Sequence, residues 1–269
     1  MKILVYLTLF FFLSACRVNA DNSFVLLAKT GEVLKVKADD SSIVQLNKIQ
    51  IPVNEFDFRG MLVDENMNLY YSIKYVESNQ PQIVKQIFSV KAGSQSSIIL
   101  VEGTNPVRSG KDLCFINSRD IFCRKPDGEL KEVLSVNYDL DIDNFILTNK
   151  FLITVDNKKI NYLSLLSNDK KEAEMLDKPC IPVVYDLDKG TLCRSERWGI
   201  YYWSRSGERL KTKNFIPKAK SGDYLAGFLI KESFIGKEIK LAIFNINTGT
   251  LNTIDHDLKP SNSIISALN

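Results

Sequence analysis

A strand–turn–strand unit recurs along most of this chain, and it limits the possible folds more than any other feature. The segment Leu34–Leu46, LKVKADDSSIVQL, parallels Phe88–Leu100, FSVKAGSQSSIIL, with one residue inserted. Looser copies run over Ile121–Leu134, Ile160–Leu176, Ile200–Leu210 and Leu241–Leu251. Each copy is an apolar or aromatic strand, a turn rich in Gly, Asn, Asp or Ser, and a second strand. The turns centre near Asp40, Ser94, Asp127, Asn168, Ser206 and Thr248, a mean spacing of about 42 residues. The first interval is the longest, and an extended loop over Tyr75–Gln82 accounts for it. Sustained helical periodicity is missing throughout.

A period of this length matches one four-stranded propeller blade. Between consecutive hairpins there is room for two more strands, seen in Leu62–Tyr71, Asn144–Val155 and Pro182–Cys193. The first of these, LVDENMNLYY, resembles the strand–turn–strand of NHL and TolB-like six-bladed propellers, in which an Asp-rich turn precedes Asn-Leu-Tyr. Met67 stands where those repeats usually carry glycine. WD dipeptides and Kelch double glycines do not occur. The first unit has only three strands, Phe24–Lys29, Val33–Lys37 and Ser42–Leu46, whereas the apolar tail Ser263–Leu268 has no unit of its own. The tail can supply the missing inner strand and remove two open edges. The expected fold is therefore all-β, a six-bladed β-propeller whose first blade is closed by the C-terminal strand. A β-sandwich and a β-solenoid are the alternatives.

The N-terminus reads as an export signal. Ile3 to Leu13 is an unbroken apolar run behind Lys2, long enough for a signal-peptide core and too short to span a bilayer. Leu13-Ser14-Ala15-Cys16 resembles the lipobox of bacterial lipoproteins: a branched aliphatic residue, two small residues, then cysteine. The resemblance implies a signal peptide over 1–15, a lipidated Cys16 opening a short tether over 16–23, and a propeller domain over 24–269. Durable anchoring then follows from the acyl chains, at about 0.8 kcal/mol per buried methylene. Arg17 in place of Asp is compatible with delivery to the outer membrane, facing the periplasm. The competing expectation is a soluble secreted or periplasmic protein cut after Val18-Asn19-Ala20.

Four cysteines remain after Cys16: Cys114, Cys123, Cys180 and Cys193. An even number in an exported chain suggests disulfides, and three pairings are possible. Cys114–Cys123 and Cys180–Cys193 are favoured because each pair flanks a strand–turn–strand unit. Four reduced, buried thiols are the alternative. No C-x-x-C spacing and a single histidine, His256, argue against a zinc site.

A net charge of +3 over 269 residues creates no strong field, so nucleic acid is not an expected partner. The most basic stretch, Arg205 to Lys220, fits a solvated edge strand. His256, between Asp255 and Asp257, reads as an exposed turn residue, and neither Gly-x-Ser-x-Gly nor His-Glu-x-x-His occurs. Asp139, Asp141 and Asp143 alternate as calcium ligands can, without the turn glycine and distal Glu of an EF-hand loop. Asp64-Glu65-Asn66 and Asp186-Leu187-Asp188 read as β-turns. Trp198, Tyr201 and Trp203 form the densest aromatic group and are candidates for stacking on a ligand. Alternation along a strand sends neighbours to opposite faces, so packing between blades is the competing role.

These features point to a non-enzymatic interaction or scaffold module of the bacterial envelope, tethered by a lipid on Cys16, with an envelope protein as partner and no cofactor. Two other functions stay open. One is a metal-dependent propeller lactonase, with Glu55, Asp57, Asp143 and Asp186 as candidate carboxylates. The other is a secreted carbohydrate-binding protein using the tryptophans.

Overall fold

The computed structural model describes residues 22–77, 82–136, 145–156, 158–165, 170–195, 200–210, 212, 214–233, 236–256, 258 and 260–268. Among these residues the secondary structure is strand and turn, arranged as six small antiparallel sheets. Each sheet is one blade.

The closing blade carries β1 (Ser23–Ala28), β2 (Glu32–Lys37) and β3 (Ile43–Lys48), with the last strand of the chain, Ser263–Ala267, on the inner side of β1. Phe24 pairs with Ala267 and Ala28 with Ser263, so the two ends of the chain close the ring in one continuous register. The second blade is β4 (Asp57–Val63), β5 (Leu69–Val76), β6 (Ile83–Val90) and β7 (Ile98–Glu102). The third is β8 (Thr104–Ser109), β9 (Asp112–Asn117), β10 (Asp120–Arg124) and β11 (Leu130–Ser135). The fourth is β12 (Phe145–Leu147), β13 (Phe151–Asp156), β14 (Lys159–Ser164) and β15 (Lys170–Met175). The fifth holds three strands, β16 (Ile181–Asp186), β17 (Gly190–Arg194) and β18 (Tyr201–Trp203). The sixth is β19 (Phe215–Ser221), β20 (Tyr224–Ser233), β21 (Gly236–Asn245) and β22 (Leu251–Ile254). The terminal strand Ser263–Ala267 is β23.

The fifth blade departs from the expected four strands. Its outer edge is reduced to a bridge between Tyr202 and Arg209, with Trp203 N–H donating to the Glu208 carbonyl and Leu210 N–H to that of Tyr201. The first repeat interval also has a different cause from the expected one. Tyr75 and Val76 are strand residues, and the added length comes from a tall β5–β6 hairpin and the link Ile49–Phe56.

Each blade is covered by a neighbour on both faces, which explains the apolar runs. Every residue of β1 is buried. Phe24, Leu26 and Ala28 pack on the sixth blade with Ala226, Phe228 and Leu241. Val25 and Leu27 point the other way, onto Met61, Val63 and Tyr71 of the second blade. The period of two thus divides one strand between two interfaces. The fourth and fifth blades meet through Ile153, Tyr162, Cys193 and Tyr202, and the fifth and sixth through Leu192, Trp203, Phe215 and Phe244. Ile116 and Ile121 of the third blade pack on Leu147 and Leu152 of the fourth.

Both expected disulfides form. Cys114 and Cys123 face each other across β9 and β10, with Cα atoms 4.0 Å apart. Cys180, one residue before β16, joins Cys193 of β17.

Candidate functional site

The antiparallel order gives the ring two unlike ends. One carries the turns that join first to second and third to fourth strands. The other carries the hairpins between second and third strands and the links between blades.

The hairpin end is uneven. β1 and β2 pair over five residues, whereas β5 and β6 pair over eight and β20 and β21 over ten. At about 3.3 Å per residue, the two tall hairpins rise roughly 10 and 16 Å further than that of the closing blade. Both stand beside that blade, because β23 touches β4 on one side and β19 on the other. The first hairpin is braced by Tyr75 Oη–H donating to Gln86 Oε1 at 2.8 Å. Its last ladder pair, Val76 and Ile83, is 62% and 53% exposed, with the exposed residues Glu77 and Gln82 beyond it. The second turns through Gly236 at φ +146° and carries exposed Lys231, Lys237 and Glu238 towards its tip.

At the turn end, one arrangement occurs twice. Asp64 follows β4, is 4% exposed, and accepts the N–H groups of Asn66 and Asn68 on Oδ1 at 3.0 and 2.8 Å. Its Oδ2 accepts from Asn68 Nδ2 and from Arg108 Nη1 at the end of β8. Asp186 ends β16 in the same way. It accepts the N–H groups of Asp188 and Lys189, and Lys220 Nζ of β19 lies 2.6 Å from Oδ2. In both cases a carboxylate that shapes a turn in one blade holds a cation of the next. Burial alone would raise the Asp186 pKa. The Lys220 ammonium and the two N–H donors outweigh it, so the group sits below the usual carboxylate range. Met67, in the Asp64 turn, takes φ +61°, a left-handed conformation that favours glycine.

A further polar network joins the fourth and fifth blades. Glu174 accepts from Tyr162 Oη and Ser204 Oγ on one oxygen and from Arg205 Nε on the other. Burial pushes the Tyr162 phenol up to about 12.

The innermost strands of four blades each contain a β-bulge at a matching height. The register shifts fall between Phe58 and Gly60 in β4, Thr104 and Val107 in β8, Pro182 and Val184 in β16, and Pro217 and Ala219 in β19. Pro106, Pro182 and Pro217 sit at three of them. Proline lacks the ladder donor and is tolerated on a strand whose outer edge is unpaired. Gly60 is required at the fourth, because a Cβ there would meet the Asn105 backbone at 2.6 Å.

The residues nominated from sequence fare unevenly. Tyr201 and Trp203 are each 1% exposed and pack with Val184, Leu192 and Phe215. This corrects the expectation of a ligand-stacking surface: both rings fill the core between fifth and sixth blades, while Tyr202 faces the fourth. Trp198, Cys16, Asp139, Asp141 and Asp143 lie outside the described residues. The remaining lactonase candidates do not converge. Asp57 opens β4 at the hairpin end, with Lys29 Nζ at 3.8 Å, and Glu55 is exposed in the preceding link. Asp186 lies at the opposite end, paired with Lys220. Among the described residues, no group of three or more His, Cys, Asp or Glu is placed to hold a metal ion. The basic stretch Arg205–Lys220 is not one edge strand: Arg205 pairs with Glu174 across blades, and Lys220 ends the innermost strand β19. Among the described residues no helix is long and apolar enough to cross a membrane.

No family model and no curated protein matches the chain. Solved structures do. The acylaminoacyl peptidase of Pyrococcus horikoshii superimposes with a TM-score of 0.51 at 13% identity, over 76% of this chain and 40% of that one. The β-propeller domain of the Trilobed protease from Pyrococcus furiosus gives 0.46 at 14% identity, over 76% and 73%. Such likeness concerns the fold alone, and together with the sheet order it makes this protein a six-bladed β-propeller.

Proposed function

We propose that the protein is an exported, lipid-anchored propeller that serves as a non-enzymatic docking module of the bacterial envelope, engaging a protein partner at its hairpin end. The observation that carries this reading is the pair of tall hairpins beside the closing blade, one of them carrying the exposed Val76–Ile83 pair near its end. An exposed apolar pair raised on a hairpin and flanked by polar residues is a form a protein-binding epitope takes. The separation of Asp57 from Asp186 favours docking over metal-dependent lactone hydrolysis.

The anchor and this face fit together. The Asn22 carbonyl accepts from Ala38 N–H, in the turn that follows β2, so the chain enters the ring at its turn end. Six residues separate Cys16 from Asn22, a reach of about 20 Å. A lipid on Cys16 therefore holds the turn end against the bilayer and aims the hairpins into the periplasm.

The test is site-specific photo-crosslinking in intact envelopes. A probe at Ile83 should give a discrete protein adduct that Val76→Lys abolishes, while a probe at Lys125, in a turn of the opposite end, should not. Adducts confined to Lys125, or an Ile83 adduct indifferent to Val76→Lys, would refute the assignment.

A further inference from the structure

We infer that the outer edge of the second blade, β7, seats an extended segment of another protein, which joins the sheet as a fifth strand. The outermost strand of a blade pairs on one side only and leaves a row of N–H and C=O groups open. Folded proteins blunt such edges with charge, polar side chains or brevity. The other described outer edges follow that rule. β3 carries Gln45 and Lys48, β11 carries Lys131 and Glu132, and β15 reads Lys-Lys-Glu-Ala-Glu-Met. The edge of the fifth blade presents Glu208 and Arg209, and β22 is four residues long with Asn252 and Thr253 exposed. β7 does not follow it. Ile98, Ile99, Leu100 and Val101 run without a polar side chain, and the first two are 61% and 58% exposed.

The edge is also fixed in place. At its start Gln50 N–H donates to the Gln95 carbonyl and Ser97 Oγ–H to the Gln50 carbonyl, both at 2.8 Å, while Tyr71 Oη–H donates to Ser97 Oγ. Beyond its end Gly103 N–H donates to the Lys85 carbonyl. A segment that joins β7 therefore bears only its own ordering cost. Main-chain hydrogen bonds give such a complex its affinity, and alternate side chains give it specificity.

Charge identifies the occupant. Ile98 pairs with Ser89 and Val101 with Ile87, on the face towards the third blade, where Ser72 meets Asn105. Ile99 pairs with Phe88 and Glu102 with Gln86, on the face towards the closing blade. Glu102 is exposed and, among the described residues, has no ion pair. The segment that fits is apolar, with a Lys or Arg where it passes Glu102. Antiparallel pairing, the more stable per residue, puts that cation at the segment's N-terminal end. A second copy of this chain fits poorly. Twofold antiparallel pairing about Leu100 would set each Glu102 against the mate's Ile98. Five residues, about 17 Å of strand, also offer far less than the roughly 800 Å² per partner that a stable dimer buries.

The test is fluorescence anisotropy of labelled, end-blocked hexapeptides titrated with the full-length protein. The probes are Lys-Val-Thr-Val-Thr-Val and its charge-reversed counterpart Glu-Val-Thr-Val-Thr-Val. The first should bind saturably by about 1 mM and about threefold more tightly than the second. Glu102→Lys should reverse that order, and Ile99→Lys should weaken the first at least about threefold. Val44→Lys, at an exposed position of β3, should change nothing. All three positions are exposed, so urea midpoints of the variants should match wild type. Absence of saturable binding would overturn the inference, as would an order indifferent to Glu102→Lys or equal weakening by Val44→Lys. None of these results bears on the Ile83 crosslink, which reads a different surface.

Discussion

Replacing Asp64 by alanine should destabilise the ring more than any other single loss of a charged side chain at its turn end. The side chain is 2% exposed and supports five groups at once. Its Oδ1 holds the N–H groups of Asn66 and Asn68, and its Oδ2 holds Asn68 Nδ2, the Tyr70 hydroxyl and Arg108 Nη1. Hydrogen bonds to a charged acceptor contribute roughly 1.5–3 kcal/mol each when a partner would otherwise stay buried, and less where water can enter. Arg108 is 31% exposed, so solvent replaces part of its loss. The expected cost of Asp64→Ala is about 3–4 kcal/mol, from the two backbone donors and the stranded cation. Asp64→Asn keeps the Oδ1 acceptor for the turn but puts an NH2 donor where Oδ2 accepts from Asn68 Nδ2, the Tyr70 hydroxyl and Arg108, so about 2–3 kcal/mol is expected. Equilibrium unfolding in urea with the disulfides intact measures both, and Arg108→Met completes a double-mutant cycle. A coupling of about 1 kcal/mol between Asp64 and Arg108 is expected for a half-exposed pair. If Asp64→Ala falls within 1 kcal/mol of wild type, or the coupling is zero, the claim that this carboxylate ties two blades together fails.

Two further outcomes follow from the same physics. The Tyr201 hydroxyl is buried without a hydrogen-bond partner, so Tyr201→Phe should be neutral or stabilising by up to about 1 kcal/mol, whereas Tyr162→Phe, which removes a donor to Glu174, should cost about that much. A destabilised Tyr201→Phe would show that the hydroxyl has a partner after all. Because the folded pKa of Asp186 lies below the ordinary carboxyl value of 3.8, the Lys220 pair contributes stability above that pH and loses it as pH falls through the folded value. The deficit of Lys220→Met, about 1 kcal/mol at pH 7, should therefore shrink towards zero in acid, and urea midpoints that differ as much in acid as at pH 7 would contradict this.

The architecture was legible because its signals are local. The turns near Asp40, Ser94, Asp127 and Thr248 join third to fourth strands, the turn near Ser206 joins β18 to the Tyr202–Arg209 bridge, and the apolar tail without a unit of its own became β23. Residues around Asn168 lie outside the described set. The disulfides followed from the same hairpins. The aromatic group left stacking and packing open, because burial of Tyr201 and Trp203 depends on a neighbouring blade that no local pattern displays. The polar sequence after Val76 hid the height of the first hairpin, since Tyr75 and Val76 are held by Val84 and Ile83 across the ladder. One signal was present and unread. Pro106, Pro182 and Pro217 each interrupt an otherwise strand-like segment, and a proline there marks an edge strand or a bulge. Arg59 had no such marker: its place as the unpaired residue of the bulge arises only from the pairing of β4 with β5.

The departures from sixfold regularity are not scattered around the ring. The tall hairpins belong to the second and sixth blades. Both blades flank the one made from the two ends of the chain. That blade has a short hairpin and an inner strand without a register shift, so it forms a low sector between higher neighbours. Its termini leave at the opposite end, where Leu268 N–H still donates to the Ser23 carbonyl. A tether attached there cannot obstruct the low sector. Closing the ring with the chain termini thus does more than remove two strand edges. It places both chain ends at the turn end and leaves the low sector and the exposed Val76–Ile83 pair together at the hairpin end.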